Sequence, residues 1–261
     1  MSTTLKISDH GSWVELTLNR PEKLNSFNEE MLLALTGAIQ QAIESGKRAV
    51  LLTGAGRGFC AGQDLGDRDP AKMTDPPDLG ATLTHFYNPL VRLITQSDIP
   101  IICAVNGVAA GAGANLALAC DITFASSEAK FIQAFALVGL IPDSGGTWQL
   151  VRHLGPARAK ALAMTAQPIL AEQAADWGLI WKSVALKELL NEARSLASTF
   201  AAGPSMSYKH IKKAVFAATT NSLDEQLDLE AQYQKRCGAS QDYAEGVSAF
   251  LSKRKPEFQG T

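Results

Sequence analysis

The sequence predicts a layered α/β fold that passes into a helical carboxyl-terminal region, and three observations predict it. β-like apolar runs alternate with helical patterns up to about Trp148. Two of those runs, Ala49 to Gly54 and Pro100 to Val105, lead toward glycine-rich turns. Beyond Trp148 the pattern becomes almost wholly helical. Alternation of this kind implies parallel strands joined by crossover helices.

Thr4 to Ser8 and Trp13 to Leu18 alternate well enough for two strands, with Gly11 at the turn between them. Asn28-Glu-Glu-Met opens a helix with a good cap and an acidic first turn. Its apolar positions Met31, Leu32, Leu35, Ile39 and Ile43 keep the 3.6-residue period, and Gly46 ends it. A strand over 49–54, a helix from Leu83 to Thr95, a strand over 100–105, a helix from Gly111 to Ala119 and a strand from Ile122 to Ala125 follow. Residues 67–80, rich in proline and aspartate, read as a loop able to close over a ligand or simply to connect. Helices are then expected at Ala157–Thr165, Ala171–Trp177, Leu186–Ala202 and Ser205–Thr219. Ser222-Leu-Asp-Glu225 is a capping box for a helix to Cys237, and Tyr243 to Lys253 is the last.

A chain of 261 residues holds one large domain or a domain with an appendage. With 46% hydrophobic and 19% charged residues it reads as globular, and its net charge of −2 offers no basic field for nucleic acid. Cys60, Cys103, Cys120 and Cys237 lack CxxC spacing and read as free thiols. His10, His85, His153 and His210 form no ligand pattern, so no metal is expected. The amino terminus lacks a secretory signal, and no apolar run approaches the roughly 18 residues of a membrane span. A reducing cytoplasm is the expected location, away from membranes.

The chemistry is expected in the glycine-rich turns, Gly58-Phe-Cys-Ala-Gly-Gln-Asp-Leu65 and Asn106-Gly-Val-Ala-Ala-Gly-Ala-Gly-Ala-Asn115. Small residues let backbone N–H groups approach a ligand atom closely. Two such groups converging on one carbonyl oxygen make an oxyanion hole. A third segment, Gly139-Leu-Ile-Pro-Asp-Ser-Gly-Gly-Thr-Trp148, sets the carboxylate of Asp143 among apolar and glycine neighbours, where it can move a proton. The other reading of Asp143 is a helix N-cap ahead of Gly145-Gly-Thr.

These turns, with Leu18-Asn-Arg-Pro-Glu-Lys-Leu-Asn25, Cys120-Asp-Ile-Thr-Phe-Ala, Gly145-Gly-Thr and Glu245-Gly-Val-Ser-Ala-Phe-Leu-Ser-Lys-Arg254, resemble the enoyl-CoA hydratase/isomerase (crotonase) family in order along nearly the whole chain. The resemblance implies a crotonase-like spiral of ββα units over residues 1–200 that binds an acyl-CoA. It further implies a helical region over 201–261 for oligomerisation and coenzyme contact, in a homotrimer or dimer of trimers. It places the oxyanion-hole donors on Gln63 and Ala112, or on Gly113 if the second turn is shifted by one. It sets Arg20, Lys23, Leu24, Ala61, Asp64 and Leu65 along the coenzyme, with Lys253 or Lys255 reaching its phosphates. No separate cofactor is implied, because coenzyme A arrives as part of the substrate.

Family hydratases use two glutamates, and the corresponding positions here hold Asn115 and Phe135. Neither is an acid or base, whereas Asp143 stands where family isomerases and a dehalogenase keep their working carboxylate. The resemblance therefore implies an isomerase. It is strongest toward a branch that converts ring-1,2-epoxyphenylacetyl-CoA to oxepin-CoA, notably at Phe86-Tyr-Asn-Pro. Phe86, Tyr87, Phe135 and Trp148 are candidate walls for a ring, as is Phe131. The same equipment suits a Δ3,Δ2-enoyl-CoA isomerase. An aroyl-CoA dehalogenase or a non-catalytic relative fits less well.

Overall fold

The computed structural model describes residues 3–68 and 75–261. In chain order the elements are β1 (Leu5–Asp9), β2 (Trp13–Leu18), α1 (Glu29–Glu44), β3 (Ala49–Gly54), β4 (Gly58–Cys60), α2 (Leu79–Thr82), α3 (Asn88–Gln96), β5 (Ile101–Val105) and β6 (Val108–Ala110). There follow α4 (Ala112–Ala119), β7 (Ile122–Ser126), β8 (Lys130–Ile132), α5 (Gly146–Thr165), β9 (Ile169–Leu170), α6 (Ala171–Asp176), β10 (Lys182–Val184), α7 (Leu186–Ala201), α8 (Ser205–Ala217), α9 (Leu223–Gly238) and α10 (Gln241–Leu251).

Two sheets form. The larger runs β1-β2-β3-β5-β7-β10 and the smaller β4-β6-β8-β9. Except for β1 on β2 and β9 on β8, all pairs are parallel. The chain therefore places one strand in each sheet per turn, β3 with β4, β5 with β6, β7 with β8, before a helix returns it. This is the expected spiral of ββα units.

Both faces of the larger sheet are covered, which explains why β3 and β5 are buried almost end to end and mainly apolar rather than alternating. Val50, Leu52, Cys103 and Val105 face the main core with Met31, Leu35 and Ile39 of α1. Ala49, Leu51, Ile102 and Ala104 face α7, whose Ala193, Ala197 and Ala201 recur every four residues. The small side chains along that stripe bring α7 close to the sheet.

The expected helix over 83–95 begins earlier, in α2, and passes through a π-helical turn, Leu83–Tyr87, before α3. The expected helix at 157–165 is the second half of α5, which breaks at Gly155 (φ 72°, ψ 167°) and restarts at Pro156. Proline suits a first helical position and glycine suits the left-handed break before it. The two strands β9 and β10 span only two and three residues, too short for a period to show. Of the predicted loop over 67–80, residues 69–74 lie outside the described residues.

Lys212 of α8 seats the carboxyl-terminal helices on the core. Its Nζ donates to the carbonyl oxygens of Ile94 and Ile99, to Ser97 Oγ and to Asp121 Oδ2. Arg48, just before β3, likewise holds Ser205 Oγ and the carbonyl oxygens of Gly203 and Phe258. Among the described residues no helix is long and apolar enough to cross a membrane.

Candidate active site

Three neighbouring parallel strands of the smaller sheet, β4, β6 and β8, end at one edge. Ligands bind where parallel strands end, because the loops there are free to diverge and their N–H groups point outward. Ala61, Gly62 and Gln63 follow β4; Gly111 and Ala112 follow β6; Gln133, a 3-10 turn over Ala134–Val138 and then Asp143 follow β8. One cavity of about 690 Å³, counting the part open to solvent, is lined by Ala61, Gln63, Ala112, Phe135 and Asp143.

The first glycine turn is set by contact with the second. Gly62 has φ +92°, and a Cβ there would stand 2.9 Å from the Ala110 carbonyl oxygen and 3.6 Å from Ala112 N. A larger residue would push the turns apart, so glycine is required. An isolated parallel bridge joins Phe27 to Gln63. Its bonds run from Phe27 N–H to Gly62 O (2.7 Å) and from Asp64 N–H to Phe27 O (2.9 Å). Neither uses the Gln63 N–H. Ala112 is the first residue of α4, where N–H groups have no intrahelical acceptor. Gly113 is buried against Cys60 one position further on and does not line the cavity.

Asp143 is half-buried. Burial pushes its carboxyl group above the ordinary carboxylate range, opposed by a hydrogen bond from Ser144 Oγ to Oδ1 (2.8 Å) and by the charge of Arg68. It is no helix cap. Gly145 holds the cap position of α5 with no side-chain bond to the helix. Ser144 (φ 50°) and Gly145 (φ 79°) are successively left-handed, so the chain turns sharply after Asp143. Burial also pushes the Tyr87 phenol up, so it stays a neutral donor. Arg68 lines the same cavity, a residue the sequence reading passed over although it falls within the loop singled out there.

Three expected ring walls lie elsewhere, and one of them, Phe131, is buried in the main core. Phe86 packs against the main core. Leu83 and Tyr87, four residues apart in the π-helical turn, face the cavity instead. Trp148 stacks on Phe216 of α8, ring centroids 5.5 Å apart, with the Arg152 guanidinium 3.8 Å over its ring. It lines a separate cavity beside Lys212. The third residue of α5 points toward α8, which sequence spacing does not disclose.

The expected coenzyme positions divide. Ala61 and Leu65 line the cavity, and the Leu24 carbonyl accepts from Ala61 N–H (3.0 Å), so the 20–27 segment runs beside the first turn. Lys23, Lys253 and Lys255 are exposed. Arg20 is already engaged, donating to Asp64 Oδ2 (2.8 Å) and to the Ser26 carbonyl (2.6 Å). The hydrogen bond from Arg20 holds the Asp64 carboxyl below its ordinary range.

A fold of two sheets wound by ββα turns, with a carboxylate facing a cavity edged by two glycine turns, defines the class, and comparison with known families agrees. The enoyl-CoA hydratase/isomerase family model matches residues 9–261, and the chain belongs to that family. A 1,2-epoxyphenylacetyl-CoA isomerase of Escherichia coli (strain K12) is 54% identical over 94% of each chain. A Rhodobacter capsulatus protein named "Probable enoyl-CoA hydratase" is 46% identical over 94% of this chain and 93% of its own. The crystal structure of an enoyl-CoA hydratase from Polaromonas sp. JS666 superposes with a TM-score of 0.91 at 35% identity, covering 98% of this chain and 99% of that one.

Proposed function

We propose that this protein is an acyl-CoA isomerase that converts ring-1,2-epoxyphenylacetyl-CoA to oxepin-CoA. The observation that carries the reading is that Asp143 is the one carboxylate among the described residues lining the cavity, beside Gln63 and Ala112. Hydration of a double bond by the family route needs a pair of acids, and the positions in question hold Asn115 and Phe135. The 54% identity to the E. coli isomerase supports the particular substrate.

In this reading the N–H groups of Gln63 and Ala112 polarise the thioester oxygen, each contributing about 2.7–4 kcal/mol at the transition state. Asp143 takes a proton from the acyl chain, and the dienolate delocalises toward the ring. The epoxide opens, the ring expands, and the proton returns at another carbon to leave an α,β-unsaturated thioester. No atom is gained or lost, and coenzyme A is carried through on the substrate. Lys23, Leu24, Ala61 and Leu65 lie along its path, with Lys253 supplying a cation to the phosphates and the Arg20–Asp64 pair bracing the segment. Gly113 shapes the turn and is not a donor.

The exposed apolar residues of the carboxyl-terminal helices, Ile211, Val215, Phe250 and Leu251, support reading 201–261 as the contact between subunits of a trimer or a dimer of trimers. The free cysteines, three of them buried, support a reducing cytoplasm.

Asp143→Asn tests the function. Turnover of the ring epoxide is expected to fall by about 10²–10⁴ with the fold retained. Exchange of the α-proton in heavy water is expected to stop with it. Full turnover in the variant would overturn the reading. Parallel assay of trans-3-hexenoyl-CoA ranks the ring epoxide against simple double-bond migration.

A further inference from the structure

We infer that Asn115 and Gln133 are positioning residues that fix where Asp143 stands relative to the oxyanion hole, an inference that rests on Asp143 being the base. Asn115 is fully buried in the first turn of α4, three residues after Ala112. Its Nδ2 donates to the main-chain carbonyl of Asp143 at 2.8 Å. Its Oδ1 accepts from Gln133 Nε2, also at 2.8 Å. Gln133 is itself buried and follows β8 directly. One chain of amides thus ties the end of β8 to the helix that presents Ala112 and to the backbone of the base.

The direction of this chain is set by its end. The Asp143 carbonyl accepts only, so Asn115 must turn its Nδ2 toward it and its Oδ1 toward Gln133. The second acceptor, Gln133 Oε1, is left buried without a partner. An unpaired buried oxygen is costly, and a leucine at 133 would avoid it. The glutamine is therefore not explained by packing alone. Space for the contact is also kept open: a Cβ on Gly146 would collide with the Asn115 amide. The Asp143 carbonyl also accepts from Gly146 N–H at 2.8 Å, so the base loop hangs from two donors, one within the loop and one on α4.

Such a loop needs outside support. Ser144 has φ 50°, a left-handed conformation that costs a non-glycine residue energy unless its surroundings impose it. The Asn115 bond imposes it at Asp143, one residue before. The carboxylate and the Ala112 N–H must act on the same thioester, and an error of about 1 Å between such groups costs about 10²-fold in rate.

The test compares Asn115→Leu, Gln133→Leu and Asp143→Asn in one assay, with binding of a non-reactive acyl-CoA thioether measured beside kcat. Asn115→Leu is expected to lower kcat by about ten- to a hundredfold. KM and thioether affinity are expected to move less than about threefold, and the pH midpoint of kcat to stay in place, since the carboxylate itself is untouched. Gln133→Leu, which leaves Asn115 free to rotate, is expected to lower kcat by a smaller factor in the same pattern. If Asn115→Leu does not fold, Gln133→Leu carries the test alone. Wild-type kcat in whichever folded variant is assayed overturns the inference, as does a loss confined to KM and thioether binding. Should Asp143→Asn retain full turnover, the base assignment fails instead, which separates the two outcomes.

Discussion

The hydroxyl of Tyr87 donates to Oε1 of Gln63 at 2.6 Å, joining the π-helical turn above the cavity to the glycine turn at its edge. Tyr87 is buried and meets Phe27 edge-on at 6.0 Å, so the phenol has little freedom. Gln63 Nε2 in turn donates to the Asp64 carbonyl at 3.3 Å. Both polar atoms of the Gln63 terminal amide are therefore engaged, which restrains the turn that carries its N–H.

Removing the phenol oxygen tests that restraint. Tyr87→Phe keeps the ring wall and loses one hydrogen bond, a net effect of about 0.5–1.5 kcal/mol. The melting temperature is expected to fall by about 1–6 °C, and kcat/KM of the folded variant to fall by about 2- to 12-fold. Unaltered kinetics would show that the turn holds Gln63 unaided.

The acid limb of the pH–rate profile belongs to Asp143. A base works only when ionised, so kcat falls as pH drops through its raised pKa. The Ser144 hydroxyl, and after it the Arg68 charge, oppose burial. Ser144→Ala and Arg68→Met should each move the midpoint to higher pH, Ser144→Ala further. Profiles of kcat measured across about pH 4–9 read both shifts. A downward movement in either variant contradicts the arrangement.

Stability carries the same sign. The folded state binds the Asp143 proton more tightly than the unfolded chain does, because burial disfavours the charge. Its favourable contribution is present below the ordinary value of 3.8 and is lost as pH rises through the raised one. Asp143→Asn, permanently neutral, should therefore melt higher than the parent at pH 7. The difference should shrink toward zero as pH falls below about 4, in thermal scans at matched salt.

Lys212 offers a check on how the carboxyl-terminal helices are seated. Lys212→Met keeps the aliphatic stem but abandons Asp121 Oδ2 and the Ser97 hydroxyl. A loss of about 1–3 kcal/mol in urea unfolding is expected, discounted for the partial exposure of Asp121. Since Lys212 is away from the cavity of Asp143, kcat of the folded variant should hold.

Local signals carried much of the architecture. The period of Met31, Leu35 and Ile39 matches the buried face of α1, and Asn28 Oδ1 caps it through Met31 N–H. The Ser222–Glu225 box forms with both its bonds. Such features rest on neighbours a few residues apart, which is why they can be read from order alone. The aromatic candidates fared unevenly for the opposite reason. Tyr87 and Phe135 line the cavity while Phe86, Phe131 and Trp148 do not, and an aromatic residue looks the same in sequence whichever way it faces.

Residue order was thus sufficient for a layered α/β alternation passing into helices, for the two glycine turns and for the carboxylate of Asp143 beyond them, because each depends on composition and short-range spacing, whereas the spiral of ββα units was implied by the family resemblance. Tertiary packing alone decided that Ala112 and not Gly113 meets the cavity, that Arg20 is taken up by Asp64, and that Asn115 suspends the loop of Asp143. Those are contacts between segments 28 to 44 residues apart or between faces of one helix. Their geometry is set by how strands and helices stack, which no local pattern records.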